Sequence, residues 1–187
     1  MQAEGKSVFW RISVIGTPGS GKTTLARQIA QALQIPHIEL DALFWGPNWT
    51  ESKTEEFRDR IVSAIAAPTW VADGNYRRSG GDLVRDKANL IVWLDYSRQV
   101  VMQRIIWRTL NRVISHQELW SGNRESWRQA FFSQDSMIYY TWRKHSHYRE
   151  EYRHQFSLPE FQGRMVRLRS PQEAQDWLTG LRPNTIS

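Results

Sequence analysis

The 187-residue chain has no cysteine. This removes disulfides, thiolate zinc sites and a cysteine nucleophile at once, and it fits a reducing compartment. Long apolar runs are missing too: no stretch approaches the roughly 20 residues that a membrane span needs. Met1 to Lys6 lacks the apolar segment of a signal peptide, so a cytoplasmic protein is expected. There is no internal repeat and no low-complexity segment. Lysine is scarce, since 20 of the 25 basic residues are arginine, and 19 acidic residues leave a formal net charge of +6. Arginine in excess suits planar, multidentate recognition of phosphate or carboxylate. A positive balance fits both a nucleotide-handling enzyme and a nucleic-acid binder, and charge alone does not choose between them.

What is present alternates between two periods. Residues 8 to 15 read as a strand, and Leu25, Ile29 and Leu33 then recur at helical spacing until Pro36. "HIEL" reads as a short second strand. Ser52 and Glu55 have the spacing of a capping box for a helix that carries Phe57, Ile61 and Ile65 and ends near Pro68. "TWVAD" is a third strand, a short helix is expected at 82 to 87, and "LIVWLD" is the continuous apolar run of a strand buried on both faces. Helices are expected near 98 to 113 and 127 to 155. A last strand, "MVRLR", runs into Ser170, Pro171 and Glu173, which together offer an N-cap, a first-turn proline and a capping glutamate. Five strands separated by helices argue for one α/β domain over residues 1 to 187, a three-layer fold around a five-stranded parallel sheet. Such sheets bind ligands beyond the carboxyl ends of their strands.

At the end of the first strand stands "GTPGSGKTT", which fits G-x-x-x-x-G-K-[ST]. In this P-loop, Gly16, Thr17, Pro18, Gly19, Ser20 and Gly21 turn successive N–H groups around phosphate oxygens. Lys22 meets the outer phosphates, Thr23 offers a hydroxyl to Mg²⁺, and Thr24 continues into the helix. The pattern implies ATP with magnesium. Asp73 and Asp95, each closing a strand, are the two candidates for the acid that serves the metal. Asp73 is favoured, because Gly74, Asn75, Tyr76, Arg77 and Arg78 follow it as a polar turn suited to the mouth of a site. Asp95 runs directly into a helix, where an acid is more often a cap.

Arg104, Arg108 and Arg112 are spaced by four, so they line one side of a helix. Like charges at that spacing repel, and a triphosphate would relieve them. Arg124 lies in a polar stretch after this helix, a candidate lid over about 114 to 127 that would exclude water. The acceptor segment, about 41 to 66, opens with "LDALFWGPNWT". Asp41 reads as the acid that orients an acceptor, Phe44 as core, and Trp45 and Trp49 as apolar walls on either side of a turn at Gly46-Pro47-Asn48.

The P-loop, the DG turn after the third strand and "QRIIWRT" before the lid resemble the nucleoside monophosphate kinase group, which includes adenylate, shikimate and gluconate kinases. More closely, "GTPGSGKTTLA", "IELDALFWGPNW", "WVADGNYRR" and "IVWLDYSR", in this order, resemble the adenylate-kinase-related proteins labelled DNA topology modulation (FlaR-like), over roughly residues 8 to 128. The resemblance implies an NMP-kinase-like P-loop fold with a short lid. It implies ATP on Gly16 to Thr24, Arg104 against the adenine, Arg108 on the transferred phosphate and Asp73 near magnesium. Adenylate kinases carry phenylalanine-proline-arginine after DG, where this chain has Asn75-Tyr76-Arg77. An acid at Asp41 is closer to shikimate and gluconate kinases, where it handles a hydroxylated acceptor. AMP is therefore not the implied acceptor.

Two classes of function follow. One is a Mg²⁺-dependent kinase in which Lys22, Arg108 and Arg124 stabilise the transferring group, Asp41 or Asp73 orients a small-molecule acceptor, and Asn75, Tyr76 and Arg77 help to bind it. The other is a nucleic-acid-associated ATP-binding protein, a regulatory module included, which rests on the net charge and on "WRKHSHYREEYRH", where bases and aromatics interleave. For that segment the plainer expectation is a helix that buries Trp142, Tyr148 and Tyr152 and turns its bases to water. The five histidines carry little signal, and no structural metal is expected.

Overall fold

A computed structural model describes residues 9–76, 79–116, 118–124 and 136–181. Arg77 and the first part of the helix expected from residue 127 lie outside the described residues. The strands are β1 (Arg11–Gly16), β2 (His37–Glu39), β3 (Trp70–Asp73), β4 (Leu90–Leu94) and β5 (Met165–Leu168). They pair in the order β2-β3-β1-β4-β5, every pair parallel. The helices are α1 (Lys22–Leu33), α2 (Leu40–Phe44), α3 (Thr54–Ala64), α4 (Gly81–Lys87), α5 (Arg98–Ile114), α6 (Met137–Phe156) and α7 (Pro171–Gly180).

The sheet carries a separate core on each face, as apolar residues on both sides of its strands require. On one face Ile12, Val14, Val71, Val92 and Leu94 meet Leu25, Ala26, Ile29 and Leu33 of α1. On the other, Ile15, Ile38, Trp70, Ala72, Ile91 and Trp93 meet Phe57 and Ile61 of α3, Val84 of α4, and Tyr152 and Phe156 of α6. The P-loop connects β1 to α1, so it sits at the carboxyl edge in the middle of the sheet. Space there is tight. A Cβ on Gly16, whose φ is +152°, would come within 2.8 Å of the Leu94 carbonyl oxygen and of Ser20 Oγ.

Two local expectations fail for identifiable reasons. Ser52 does not cap α3, whose N-cap is Lys53 without a side-chain bond. The chain doubles back after Trp45, so Ser52 donates its N–H to Phe44 O at 3.0 Å and its hydroxyl to the same oxygen at 2.7 Å, while its Oγ accepts from Arg60 Nη1 at 2.9 Å; its side chain is engaged there and makes no bond to the first turn of α3. Trp142 is not buried but 53% exposed, under the Arg98 guanidinium at 5.1 Å. The core face of α6 runs through Thr141, His145, Tyr152 and Phe156, and Trp142 is one residue out of that phase. Tyr152 is buried as expected, and Tyr148 is half-buried against the core. The cap of α7 forms as read, with Glu173 N–H donating to Ser170 Oγ at 3.1 Å behind Pro171.

Candidate active site

A cleft of about 2010 Å³ opens at the carboxyl edge of the sheet, which is room for a nucleotide and a second small molecule together. Its floor is the P-loop. Pro18, Gly19, Ser20, Gly21, Lys22, Thr23 and Thr24 line it, whereas Gly16 and Thr17 stand behind and are used through their carbonyls. Thr17 O accepts from Lys22 Nζ at 3.3 Å, and Gly16 O accepts from Asn75 Nδ2 at 2.6 Å. Gly21, at φ +94°, caps α1, whose exposed N–H groups and dipole face the cleft. Burial pulls the Lys22 ammonium below its ordinary pKa, Asp41 and Asp73 oppose that shift, and Arg108 reinforces it.

The two candidate metal acids separate clearly. Asp73 ends β3 at 3% exposure, with Oδ2 accepting from Thr23 Oγ1 at 2.6 Å and Oδ1 paired with His37 Nε2 at 2.8 Å. Asp95 is equally buried but is taken by two arginines. It pairs with Arg149 Nε at 2.5 Å and accepts from Arg167 Nε at 2.9 Å, which ties it to α6 and β5. A carboxylate held by two guanidinium groups has its charge satisfied and serves as a strut.

On the other side of the P-loop, Arg104, Arg108 and Arg112 of α5 all line the cleft. Arg104 donates to Ser20 O at 3.0 Å and lies over the Tyr96 ring at 5.2 Å, so its guanidinium sits at the outer end of the loop. Opposite stands the acceptor segment. Asp41 lines the cleft and accepts from Tyr76 Oη at 2.6 Å. Burial first, and the Asp41 charge second, hold the Tyr76 hydroxyl far above its ordinary pKa, so it stays a proton donor to that carboxylate. Trp45 and Trp49 line the cleft with rings edge to face, centroids 5.5 Å apart. Phe44 packs inward against Phe57 and Tyr76 at 5.0 and 4.6 Å. The turn between the tryptophans is built as the sequence suggests, over Pro47–Trp49 with Asn48 in the left-handed region.

Arg124 is not among the cleft-lining residues. Its guanidinium is exposed and faces Glu118 at 3.7 Å, while its carbonyl oxygen accepts from Trp49 Nε1 at 3.4 Å. The described part of the expected lid rests on the acceptor segment. Asn123, 5% exposed, receives Trp49 N–H on Oδ1 and gives Nδ2 to Gly46 O, both at 2.9 Å, and Ser121 Oγ donates to Trp45 O at 2.8 Å.

Three groups of residues escaped the sequence reading. His37 and Glu39 alternate along β2, and Glu39 stands in register with Asp73. Glu39 lines the cleft; burial, and next the Asp73 charge, raise its pKa, against a hydrogen bond from the Trp120 side chain. Tyr140, Lys144, His147, Tyr148 and Glu151 turn a third face of α6 into the cleft. The spacing of three and four from Lys144 to His147 and Tyr148 and on to Glu151 was visible within the interleaved segment, which Tyr140 precedes. Arg85, 8% exposed, adds a guanidinium from α4.

The model of the ATPase family associated with various cellular activities (AAA) matches residues 12–70. The chain is 31% identical over 112 residues to a cytidylate kinase of Pyrobaculum calidifontis, covering 52% of this chain and 59% of that protein. It is 28% identical over 139 residues to a shikimate kinase of Corynebacterium diphtheriae, covering 64% and 80%. Among solved structures, a gluconokinase from Sinorhizobium meliloti 1021 superposes with a TM-score of 0.51 at 22% identity, over 94% of each chain. A shikimate kinase from Bacteroides thetaiotaomicron gives 0.54 at 15%, over 92% of this chain and 96% of that one. The chain shares its fold with these two kinases. It spans 59% and 58% of the length of two of the cytidylate kinases it matches. The matched stretch of the family model contains the P-loop, β2 and the acceptor turn.

Proposed function

We propose that this chain is an ATP-dependent kinase that transfers the γ-phosphoryl group to the hydroxyl of a small-molecule acceptor. One observation carries the reading: Lys22, Arg108 and Asp41 line a single cleft, with Asp73 directly beneath Thr23. Pro18 to Thr24 cradle the triphosphate with Gly16 and Thr17 behind them, Arg104 flanks the adenine, and Lys22 and Arg108 set positive charge on the migrating group. The acceptor enters between Asp41 and the Trp45–Trp49 wall, with Asn75 and Tyr76 around it. As the acceptor oxygen attacks the γ-phosphorus, Asp41 takes its proton. The bond from that phosphorus to the β,γ-bridging oxygen breaks, and ADP leaves with the electron pair.

Thr23 and Asp73 suit Mg²⁺, being a hydroxyl and a carboxylate in contact, both hard oxygen donors. Among the described residues no group of three or more His, Asp or Glu could hold a metal. This fits an ion that relies on phosphate oxygens and water for most of its ligands. When bound, the ion would neutralise charge on the β- and γ-phosphates.

The test is phosphoryl transfer from labelled ATP to a panel of nucleoside monophosphates, nucleosides, sugar acids and shikimate. Lys22→Ala is expected to lower kcat about 10²- to 10³-fold, and Asp41→Asn about 10²- to 10⁴-fold with ATP binding kept. Transfer that survives Lys22→Ala unchanged would end the reading. Label passing to a monophosphate, with Asp41→Asn harmless, would move the acceptor role from Asp41 to the basic groups.

A second reading, that of a nucleic-acid-associated ATP-binding protein like the FlaR-like proteins, draws on the outer face of α6. Exposed Trp142 lies under Arg98 there, and exposed Tyr139 under Arg143 at 5.6 Å.

A further inference from the structure

His37 had no role in the reading of the sequence and takes no part in the reaction proposed above, yet it makes one of the two side-chain hydrogen bonds to the buried Asp73. Its place follows from strand register. β2 runs parallel to β3 with Glu39 beside Asp73 and His37 beside Val71, so the alternation of side chains sends His37 and Glu39 to the face that Asp73 also uses. Val71 belongs to the core against α1, so this is the face that α1 covers. His37 is 16% exposed and Asp73 3%, and through Asp73 the imidazole is linked to Thr23 in the first turn of α1.

A carboxylate accepts and cannot donate, so Nε2 carries the proton in the His37–Asp73 bond. The torsion that turns a carboxylate plane is broad and soft, and one hydrogen bond leaves it free to swing. Asp73 has two at opposite corners, His37 Nε2 on Oδ1 and Thr23 Oγ1 on Oδ2. Thr23, having given its single proton to Asp73, keeps its lone pairs for a cation. The imidazole therefore fixes the carboxylate plane, and the carboxylate fixes the threonine hydroxyl. Asp95 shows the alternative outcome, in which Arg149 and Arg167 close around the acid from two elements.

We infer that His37 is a positioning residue for divalent-cation binding, holding Asp73 so that Asp73 and the Thr23 hydroxyl together meet the metal of the metal–nucleotide complex. The inference rests on the ATP-binding part of the proposed function, not on the identity of the acceptor. Residues that orient metal ligands in this way cost about 10- to 100-fold in metal affinity when removed.

The experiment uses the full chain, Mn²⁺ as probe and ATP as nucleotide, with free Mn²⁺ read by its paramagnetic resonance signal. His37→Ala is expected to weaken Mn²⁺ binding to the protein–ATP complex about tenfold or more, and ATP binding in EDTA is expected to stay within about twofold of wild type. His37→Gln, whose amide reaches the place of Nε2, is expected to recover most of the lost affinity. The inference is overturned by unchanged Mn²⁺ affinity in His37→Ala. It is overturned too by an equal loss of metal-free ATP binding, or by a folded His37→Gln that recovers nothing, folding being checked by its melting curve. Wild type that binds Mn²⁺ with ATP, shows this variant pattern and phosphorylates no acceptor would sink the kinase reading and leave His37 in place. Wild type that takes up no Mn²⁺ with ATP would sink both.

Discussion

Asp73 and Asp95 are the same residue type at the carboxyl ends of strands on either side of β1, both 3% exposed, and their neighbours give them different chemistry. Asp73 meets a hydroxyl and an imidazole, and Asp95 meets two guanidinium groups. Asp41 is a third case, an acid at the cleft wall oriented by one half-buried phenol. Tyr76→Phe removes that phenolic hydroxyl and keeps the ring against Phe44 and Phe57. A hydrogen bond to a charged group contributes about 1.5–3 kcal/mol, so kcat is expected to fall roughly ten- to a hundredfold, at about 1.4 kcal/mol per decade. Steady-state kinetics on the labelled acceptor checks this, and ATP binding measured alone is expected not to change. At this scale the sequence was legible wherever a role depends on neighbours along the chain. The P-loop is contiguous, and Asp73 stands directly before its own polar turn. His37 was not legible, because its partner lies 36 residues away and becomes adjacent only through the β2–β3 register. Arg124 is the complementary case: a polar loop shows where a charge sits in the chain, not which way its side chain leaves the surface, and here the guanidinium faces Glu118 outside the cleft lining.

At the scale of elements, the alternation of strands with helices, the five-stranded parallel sheet and the N-terminal cap of α7 follow from period and capping chemistry, and the structure reproduces them among the described residues. The unanticipated feature is contact between loops. The Trp45–Ser52 turn and the Glu118–Arg124 turn each close on themselves by one bridge, Trp45 to Glu51 and Glu118 to Arg124, and then join through Asn123. Loop-to-loop bonds of this kind have no local sequence pattern. They also account for the displaced cap at Ser52, since the doubling-back that brings Trp49 to Asn123 turns the Ser52 side chain to Phe44 O and Arg60. Asn123→Ala breaks both amide bonds. The acceptor KM is expected to rise about tenfold, from loss of roughly 1–3 kcal/mol per buried group left unpaired, while ATP affinity stays fixed. Initial rates with the acceptor varied at saturating ATP would show it, and equal changes in both substrates would refute it. The interleaved bases and aromatics of α6 resolve by the same geometry, with one stripe in the core, one in the cleft and one facing outward.

For the molecule as a whole, the net charge of +6 has two available uses: the arginines of the cleft, and the cation–aromatic pairs on the outside of α6. These separate by salt. Single-stranded oligonucleotide held on the outer face is expected to dissociate steeply between 50 and 200 mM salt, and Trp142→Ala is expected to cost about 1–3 kcal/mol of that binding. No retention at low salt would end the nucleic-acid reading and leave the cleft untouched. No helix among the described residues is long and apolar enough to cross a membrane. The Asp95 strut adds a constraint on how the chain is made. Its two guanidinium partners come from residues 149 and 167, so while the ribosome has delivered only β1 to β4, Asp95 stands at the open edge of the sheet without the two partners that hold it in the finished fold. Breaking a buried ion pair costs about 3–5 kcal/mol, a large part of an ordinary domain's stability. Chains that stop short of Arg149 are therefore expected to be cut by protease faster than the full chain.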